Sequence, residues 1–325
     1  MSRPRVRLVV TADDFGYCPR RDEGIVEAFL AGAVTSVSLL VNGAATESAA
    51  ELARRSGPPW RLVAARPRRL FPWQDGIPGG GGGRRRGFAS GAEPQLQEDA
   101  REDPQSSARR VREELEAQLS CFRELLGRAP THVDGHQHVH VLPGVCQVFA
   151  EALQAYGVRF TRLPLERGVG GCTWLEAPAR AFACAVERDA RAAVGPFSRH
   201  GLRWTDAFVG LSTCGRHMSA HRVSGALARV LEGTLAGHTL TAELMAHPGY
   251  PSVPPTGGCG EGPDAFSCSW ERLHELRVLT APTLRTRLAQ DGVQLCALDD
   301  LDSKRPGEEV PCEATLEPFL ESSLL

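Results

Sequence analysis

A parallel α/β fold follows from two features of this chain. Short apolar runs alternate with segments of helical periodicity, a β-α-β-α order. Polar clusters then fall just after several of those runs, where strands of such folds present their carboxyl ends. The chain has 325 residues, of which 42% are hydrophobic. That is enough for a large core and an ordinary size for a single α/β barrel.

The first strand is Leu8 to Ala12, ended by Asp13-Asp14-Phe15-Gly16. A helix fits Asp22 to Ala31, with Ile25, Val26, Phe29 and Leu30 on one face and Gly32 at its end. Ser36 to Val41 is a second strand, stopped by Asn42-Gly43, and Ala44 to Arg55 a second helix. The character then changes over residues 56–110, which hold Arg66-Pro67-Arg68-Arg69, the glycines Gly79 to Gly83 and Arg84-Arg85-Arg86. Such composition buries little apolar area, so disorder is expected there. Helical spacing resumes with Val111, Leu115, Leu119, Phe122 and Leu126, before Gly127. Thr131 to Asp134 reads as a strand and Pro143 to Tyr156 as a helix. Val158 to Arg162 is a strand closed by Pro164, followed by a helix over Ala177 to Ala193 and a strand at Ala207 to Val209. Ser219 to Leu235 is helical, Leu240 to Met245 a strand, Trp270 to Gln290 helical and Val293 to Cys296 the last strand. One domain, residues 1–302, is therefore expected, interrupted by the atypical block and followed by a flexible polar tail, 303–325.

Composition excludes several classes. A formal charge of −2 gives no footprint for nucleic acid, and no regular repeat of aromatics accompanies the charges of the Arg/Gly block. No apolar run is long enough for a membrane span. The first residues lead straight into a strand rather than a secretory signal. The ten cysteines form no CxxC pair, so reduced thiols and a cytoplasmic or nuclear location are expected.

The chemistry concentrates in three places. Asp13 and Asp14 follow the first strand, His247 follows a late strand, and the run Asp134-Gly135-His136-Gln137-His138-Val139-His140 follows a middle one. Four of the chain's ten histidines lie within 132–140. Imidazole and carboxylate together suit zinc, manganese, iron or magnesium better than calcium. Residues at i and i+2 share one face of a strand, so His136, His138 and His140 are expected along one side of a strand end. Asp13-Asp14 alone could be a turn and helix cap, and His247 alone a turn histidine. Their common position at strand ends instead suggests metal-assisted hydrolysis, with one carboxylate on the metal and its neighbour taking a proton from water.

The segments Thr11 to Gly16, Val41-Asn42-Gly43, Pro130 to His140 and Met245-Ala246-His247-Pro248 resemble the YdjC-type carbohydrate deacetylases. The likeness covers roughly residues 6–55 and 111–300. It implies a (β/α) barrel related to polysaccharide deacetylases. It also implies divalent-metal-dependent removal of acetyl groups from sugars such as chitooligosaccharides, with magnesium the expected ion and zinc the alternative. Carried over by position, Asp13 matches the proton acceptor, Asp14 and His136 match metal ligands, and His247 matches a histidine that would act as general acid. Arg162 would position Asp13 or the substrate, and His138 and His140 would support the site. One family element is missing. A Gly-Leu-His-x-Asn-Leu strand normally follows the second helix and supplies a further ligand, yet this chain has no histidine before His132. The replaced block points to an alternative exon or a misassigned reading frame, a barrel strand lost or poorly specified, and impaired activity. The alternatives are an inactive sugar- or partner-binding protein and a different metal hydrolase. An amidohydrolase would place His-x-His on the first strand, where this chain has Asp13-Asp14. Oligomeric state is left open by the sequence.

Overall fold

The computed structural model describes residues 5–55, 62–64, 104–232, 238–260 and 262–301. Its spine is β1 (Val6–Phe15), whose Leu8, Val9, Val10 and Ala12 are all buried. Strands of a parallel sheet are covered on both faces and read as continuous apolar runs. β7 (Leu240–Ala246) runs along one side of β1, in register from Val6↔Leu240 to Ala12↔Ala246. The other side is shared by β8 (Val293–Leu295) at the start and β2 (Ser36–Leu39) further on. Every residue of β2 is buried.

Beyond β2 lie β3 (Leu62–Ala64), β4 (His132–Val133) and β5 (Phe160–Thr161), while β6 (Ala207–Val209) borders β7. All pairings are parallel. A strand is therefore present inside the atypical block, three residues long and paired to both neighbours through Val37↔Leu62 and Val63↔His132. At the far edge Phe160 bridges in parallel to Arg203, on the segment that leads into β6. Thr161 N–H donates to the Arg203 carbonyl at 2.9 Å, and Arg203 N–H to the Arg159 carbonyl at 2.8 Å. This bridge links the β5 edge of the sheet to the segment that enters the β6 edge.

Helices cover its outside: α1 (Pro19–Leu30), α2 (Thr46–Arg55), α3 (Pro104–Leu126), α4 (Cys146–Ala155), α5 (Ala177–Arg199), α6 (Ala220–Leu231), α7 (Glu271–Thr280) and α8 (Pro282–Gln290). α1 starts with proline at a position whose N–H needs no helical partner. The Ser219 hydroxyl caps α6 by accepting from the Arg222 N–H at 3.2 Å. Val111, Leu115, Leu119 and Phe122 of α3 are buried, as their spacing predicts. α3 begins at Pro104, so residues 104–110 are helical and the atypical block is shorter than 56–110. The rest of that block, apart from β3, and the tail 303–325 lie outside the described residues. The single helix predicted over Trp270 to Gln290 is two. Pro282 has no N–H and forces the preceding residue out of helical geometry, and Ala281 is extended, with ψ 136°. All nine described cysteines are free thiols. Among the described residues no helix is long and apolar enough to cross a membrane.

One close approach fixes α1 against the loop after β7. A Cβ on Gly24 would lie 2.5 Å from the Gly249 Cα, and one on Gly249 would lie 2.6 Å from Arg21 Cδ. This contact brings Arg21 under the carboxyl end of β1. Gly24→Ala must push the two backbones apart, so it is expected to cost about 1–3 kcal/mol. Denaturant unfolding checks this, and an unchanged midpoint would show that the gap is soft.

Candidate active site

The carboxyl end of β1 delivers two carboxylates in different directions. Asp14 has φ 68°, the left-handed region that non-glycine residues avoid, and the β1–β2 register shifts between Ala12 and Phe15. Such a conformation costs of order 1–3 kcal/mol and persists only where its surroundings hold it. Asp14 Oδ2 lies 3.2 Å from Arg21 Nη1 and 3.4 Å from Arg272 Nη2. Its Oδ1 lies 3.0 Å from His136 Nδ1, yet receives no hydrogen bond among the described residues. Burial alone would raise the Asp14 pKa, but His136, then Arg272 and His247, hold it well below the usual carboxylate range.

Asp13 turns the other way, to Arg162, which follows β5. The guanidinium grips both Asp13 oxygens, Nη1 to Oδ2 at 2.7 Å and Nη2 to Oδ1 at 2.8 Å. Its Nε donates to Glu243 Oε1 of β7 at 2.9 Å, and Nη1 lies 3.0 Å from Asp134 Oδ2, just after β4. Arg162 is 1% exposed, so one buried cation joins three carboxylates. Burial opposes its charge, but Asp13, Asp134 and Glu243 hold its pKa well above the usual value. Three carboxylates around one cation cannot all ionise freely. Asp134 is pushed up to about 8, by burial first and then by Asp13 and Glu243. Burial also raises Asp13, against the pull of Arg162.

The histidine run departs from the strand expected of it. β4 stops at Val133, and His136–Val141 forms a 3-10 turn kinked by Gln137 and His138, with φ 52° and 61°. The three imidazoles therefore point to different places. His136 meets Asp14. His138 packs edge-on to Phe208, with ring centroids 5.9 Å apart, and its buried Nδ1 has no hydrogen-bond partner among the described residues. His140 uses both nitrogens on backbone. Nδ1 accepts from the Gly135 N–H at 3.0 Å, and Nε2 lies 2.9 Å from the Arg162 carbonyl. It also stacks on Phe197, 9° from parallel. His140 thus braces the backbone of Arg162, and burial pushes its pKa down to about 3.

His247 closes the site from β7. Its Nε2 is 4.0 Å from Asp13 Oδ2. Its backbone N–H donates to Glu275 Oε2 of α7 at 2.5 Å. Burial, then Arg272, hold it well below the usual histidine range, so it rests neutral. Glu275 is pushed up to about 7 by burial, although Arg272 and the N–H groups of His247 and Gly215 pull the other way.

The structure thus brings together Asp13, Asp14, His136, Arg162 and His247, and sets His138 and His140 behind them. The sequence reading missed Arg21, Arg272, Glu243 and Glu275. Only Glu243 carried a signal, an acid inside the apolar run Leu240 to Ala246. The others are buried charges on helix faces, and nothing local distinguishes them from surface charges.

A family model described as YdjC-like protein matches residues 7–290. The chain belongs to the YdjC-like family. A human carbohydrate deacetylase is 84% identical over the whole of both chains. A chitooligosaccharide deacetylase of an Enterobacter strain is 29% identical, over 90% of this chain and 98% of its own length. Among solved structures, a proposed cellobiose-phosphate cleavage protein from Enterococcus faecalis superposes with a TM-score of 0.58 at 18% identity. It covers 93% of this YdjC-like chain and 99% of its own, and shares the fold.

Two outcomes follow from this geometry. Arg162→Met strands three buried carboxylates, and it is expected to cost about 3–5 kcal/mol of unfolding free energy. A loss under about 1 kcal/mol would mean the cluster is solvated. His140 stays neutral in the fold until about pH 3, whereas its ordinary pKa is 6.5. Below 6.5 the unfolded chain takes the proton and the fold does not, so stability falls with acidification. His140→Gln removes this titration. Its deficit against the parent should shrink by about 1.4 kcal/mol per pH unit below that point, and a pH-independent deficit would contradict the assignment.

Proposed function

We propose that this chain is a carbohydrate deacetylase that hydrolyses the N-acetyl groups of sugars such as chitooligosaccharides. The observation that carries the reading is Asp13, held at both oxygens by Arg162 and 4.0 Å from His247 Nε2. A base for water must be anionic and aimed, and a bidentate guanidinium supplies both properties. In this reading Asp13 takes the proton of the attacking water. His247 then carries a proton to the leaving amine. Burial raises the pKa of Asp13 and lowers that of His247, which narrows the gap between them and eases proton passage from one to the other. Arg162 keeps Asp13 in place and opposes the rise that burial gives its pKa, and Asp134 and Glu243 keep Arg162 in place.

Asp14 and His136 would hold a divalent cation. The support is Asp14 Oδ1, a buried acceptor without a donor among the described residues and 3.0 Å from His136 Nδ1. The resemblance to the YdjC-type deacetylases makes magnesium the expected ion, and one carboxylate with one imidazole also suits zinc. When bound, the ion would polarise the acetyl carbonyl and acidify water. Catalytic sites usually supply three protein ligands. Among the described residues no further His, Cys, Asp or Glu atom completes a close cluster with this pair. That observation favours a second reading, in which the chain binds ions weakly and deacetylates slowly or only binds sugar.

Acetate release from chitooligosaccharides tests the first reading. Asp13→Ala is expected to lower it about 10²–10⁴-fold while the fold melts as a unit, and unchanged release would remove Asp13 from the reaction. Calorimetric titration with magnesium tests the second. The expected outcome is weak binding that Asp14→Asn abolishes, and tight binding by the parent would show that two ligands suffice.

A further inference from the structure

Cys214, His247 and Glu275 come from three separate parts of the fold: the loop after β6, the end of β7, and α7. Their donor atoms form a nearly equilateral triangle. Cys214 Sγ to His247 Nδ1 is 3.7 Å, Cys214 Sγ to Glu275 Oε1 is 3.8 Å, and His247 Nδ1 to Glu275 Oε1 is 3.8 Å. An imidazole and a carboxylate that were simply hydrogen bonded would close to about 2.7–3.2 Å. A point at the centre of such a triangle lies about 2.2 Å from every corner, against about 2.3 Å for zinc–sulfur and 2.0–2.2 Å for zinc–nitrogen and zinc–oxygen. The two sulfur distances are those of weak thiol hydrogen bonds, and the three together also match ligands around an ion.

We propose that Cys214 Sγ, His247 Nδ1 and Glu275 Oε1 form a second cation site, selective for soft divalent ions of the zinc class and distinct from Asp14 and His136. A thiolate excludes magnesium, and thiolate, imidazole and carboxylate are all zinc ligands. The cation would displace the thiol proton, and one thiolate with one carboxylate then balances its two charges. Glu275 Oε1 is already aimed by the Gly215 N–H at 2.6 Å, and Oε2 by the His247 N–H at 2.5 Å. Both bonds hold the carboxylate without using the side of Oε1 that faces Cys214. Cys214 and His247 are partly exposed, which leaves an entry path and an open coordination position.

The site has a consequence for the reaction, and this part rests on the proposed role of His247. The Nε2 of the same imidazole faces Asp13. An ion on Nδ1 fixes the proton on Nε2 and prevents the ring from gaining a second one. A filled site therefore stops His247 from relaying protons, and zinc-class ions act as inhibitors.

Cadmium, added to the full chain, is the probe. The expected result is a thiolate-to-cadmium charge-transfer absorption that is lost in Cys214→Ser and kept in Asp14→Asn. No absorption, or an equal one in Cys214→Ser, overturns the site. Alkylation of the parent chain, read by peptide mass, gives the same answer without a variant. Cadmium should slow labelling of Cys214 about tenfold, and equal labelling overturns the site. The inhibitory consequence is read apart from these. Cadmium should slow acetate release about tenfold in the parent and not in Cys214→Ser. Unslowed release from a loaded chain overturns the block on His247 while the site stands.

Discussion

The guanidinium of Arg162 sits where three strand ends converge, and the geometry of the site depends on it. It binds both oxygens of Asp13 from β1, one of Glu243 from β7, and approaches Asp134 beyond β4. A buried ion cluster is costly to desolvate and adds little net stability compared with apolar packing, but removing one member leaves charge stranded. Its value is therefore positional. It ties together strands from both sides of β1 and leaves Asp13 with one direction to face. The His140 ring fixes the backbone of Arg162 from behind, through its carbonyl. The path from sequence to site thus runs through a brace, a cation and then a carboxylate.

Backbone strain collects in the same place. Among the described residues the only non-glycine positive φ values belong to Asp14, Gln137 and His138. Left-handed residues persist where surrounding contacts over-determine them. Asp14 is held by two arginines and a histidine, and the turn at 136–141 is closed by Gly135, where a Cβ would lie 2.8 Å from the His140 nitrogen. The strain turns Asp14 away from Asp13, so adjacent carboxylates serve different partners. His136 and Arg272 keep Asp14 strongly acidic, whereas burial raises the pKa of Asp13 against the pull of Arg162.

Much of the frame was legible in the sequence, because apolar periodicity marks strands and helices directly. β1, β2, β7 and the α3 face follow that pattern. The break at Pro282 was written in one residue but masked by continuous helical spacing on both sides. The histidine run misled for a physical reason: alternation predicts a shared face only while the backbone stays extended, and Gln137 and His138 do not stay extended. Asp13, Asp14 and His247 were singled out because their polar clusters fall together at strand ends, and the likeness to the YdjC-type deacetylases picked His136 out of its run. Arg21, Arg272 and Glu275 were not, since their partners are distant in sequence and only the packing of α1 and α7 brings them in. Gly24 against Gly249 is the contact that allows the first of these.

The most direct measurement of the central interaction is a double-mutant cycle between Arg162 and Asp13. Unfolding free energies of Arg162→Met, Asp13→Asn and the double variant would be compared with the parent chain. If the bidentate pair organises the site, the two losses are strongly non-additive, with a coupling of about 1.5–3 kcal/mol. Losses that add to within about 0.5 kcal/mol would mean that Asp13 is placed by the strand alone and that Arg162 does not hold it.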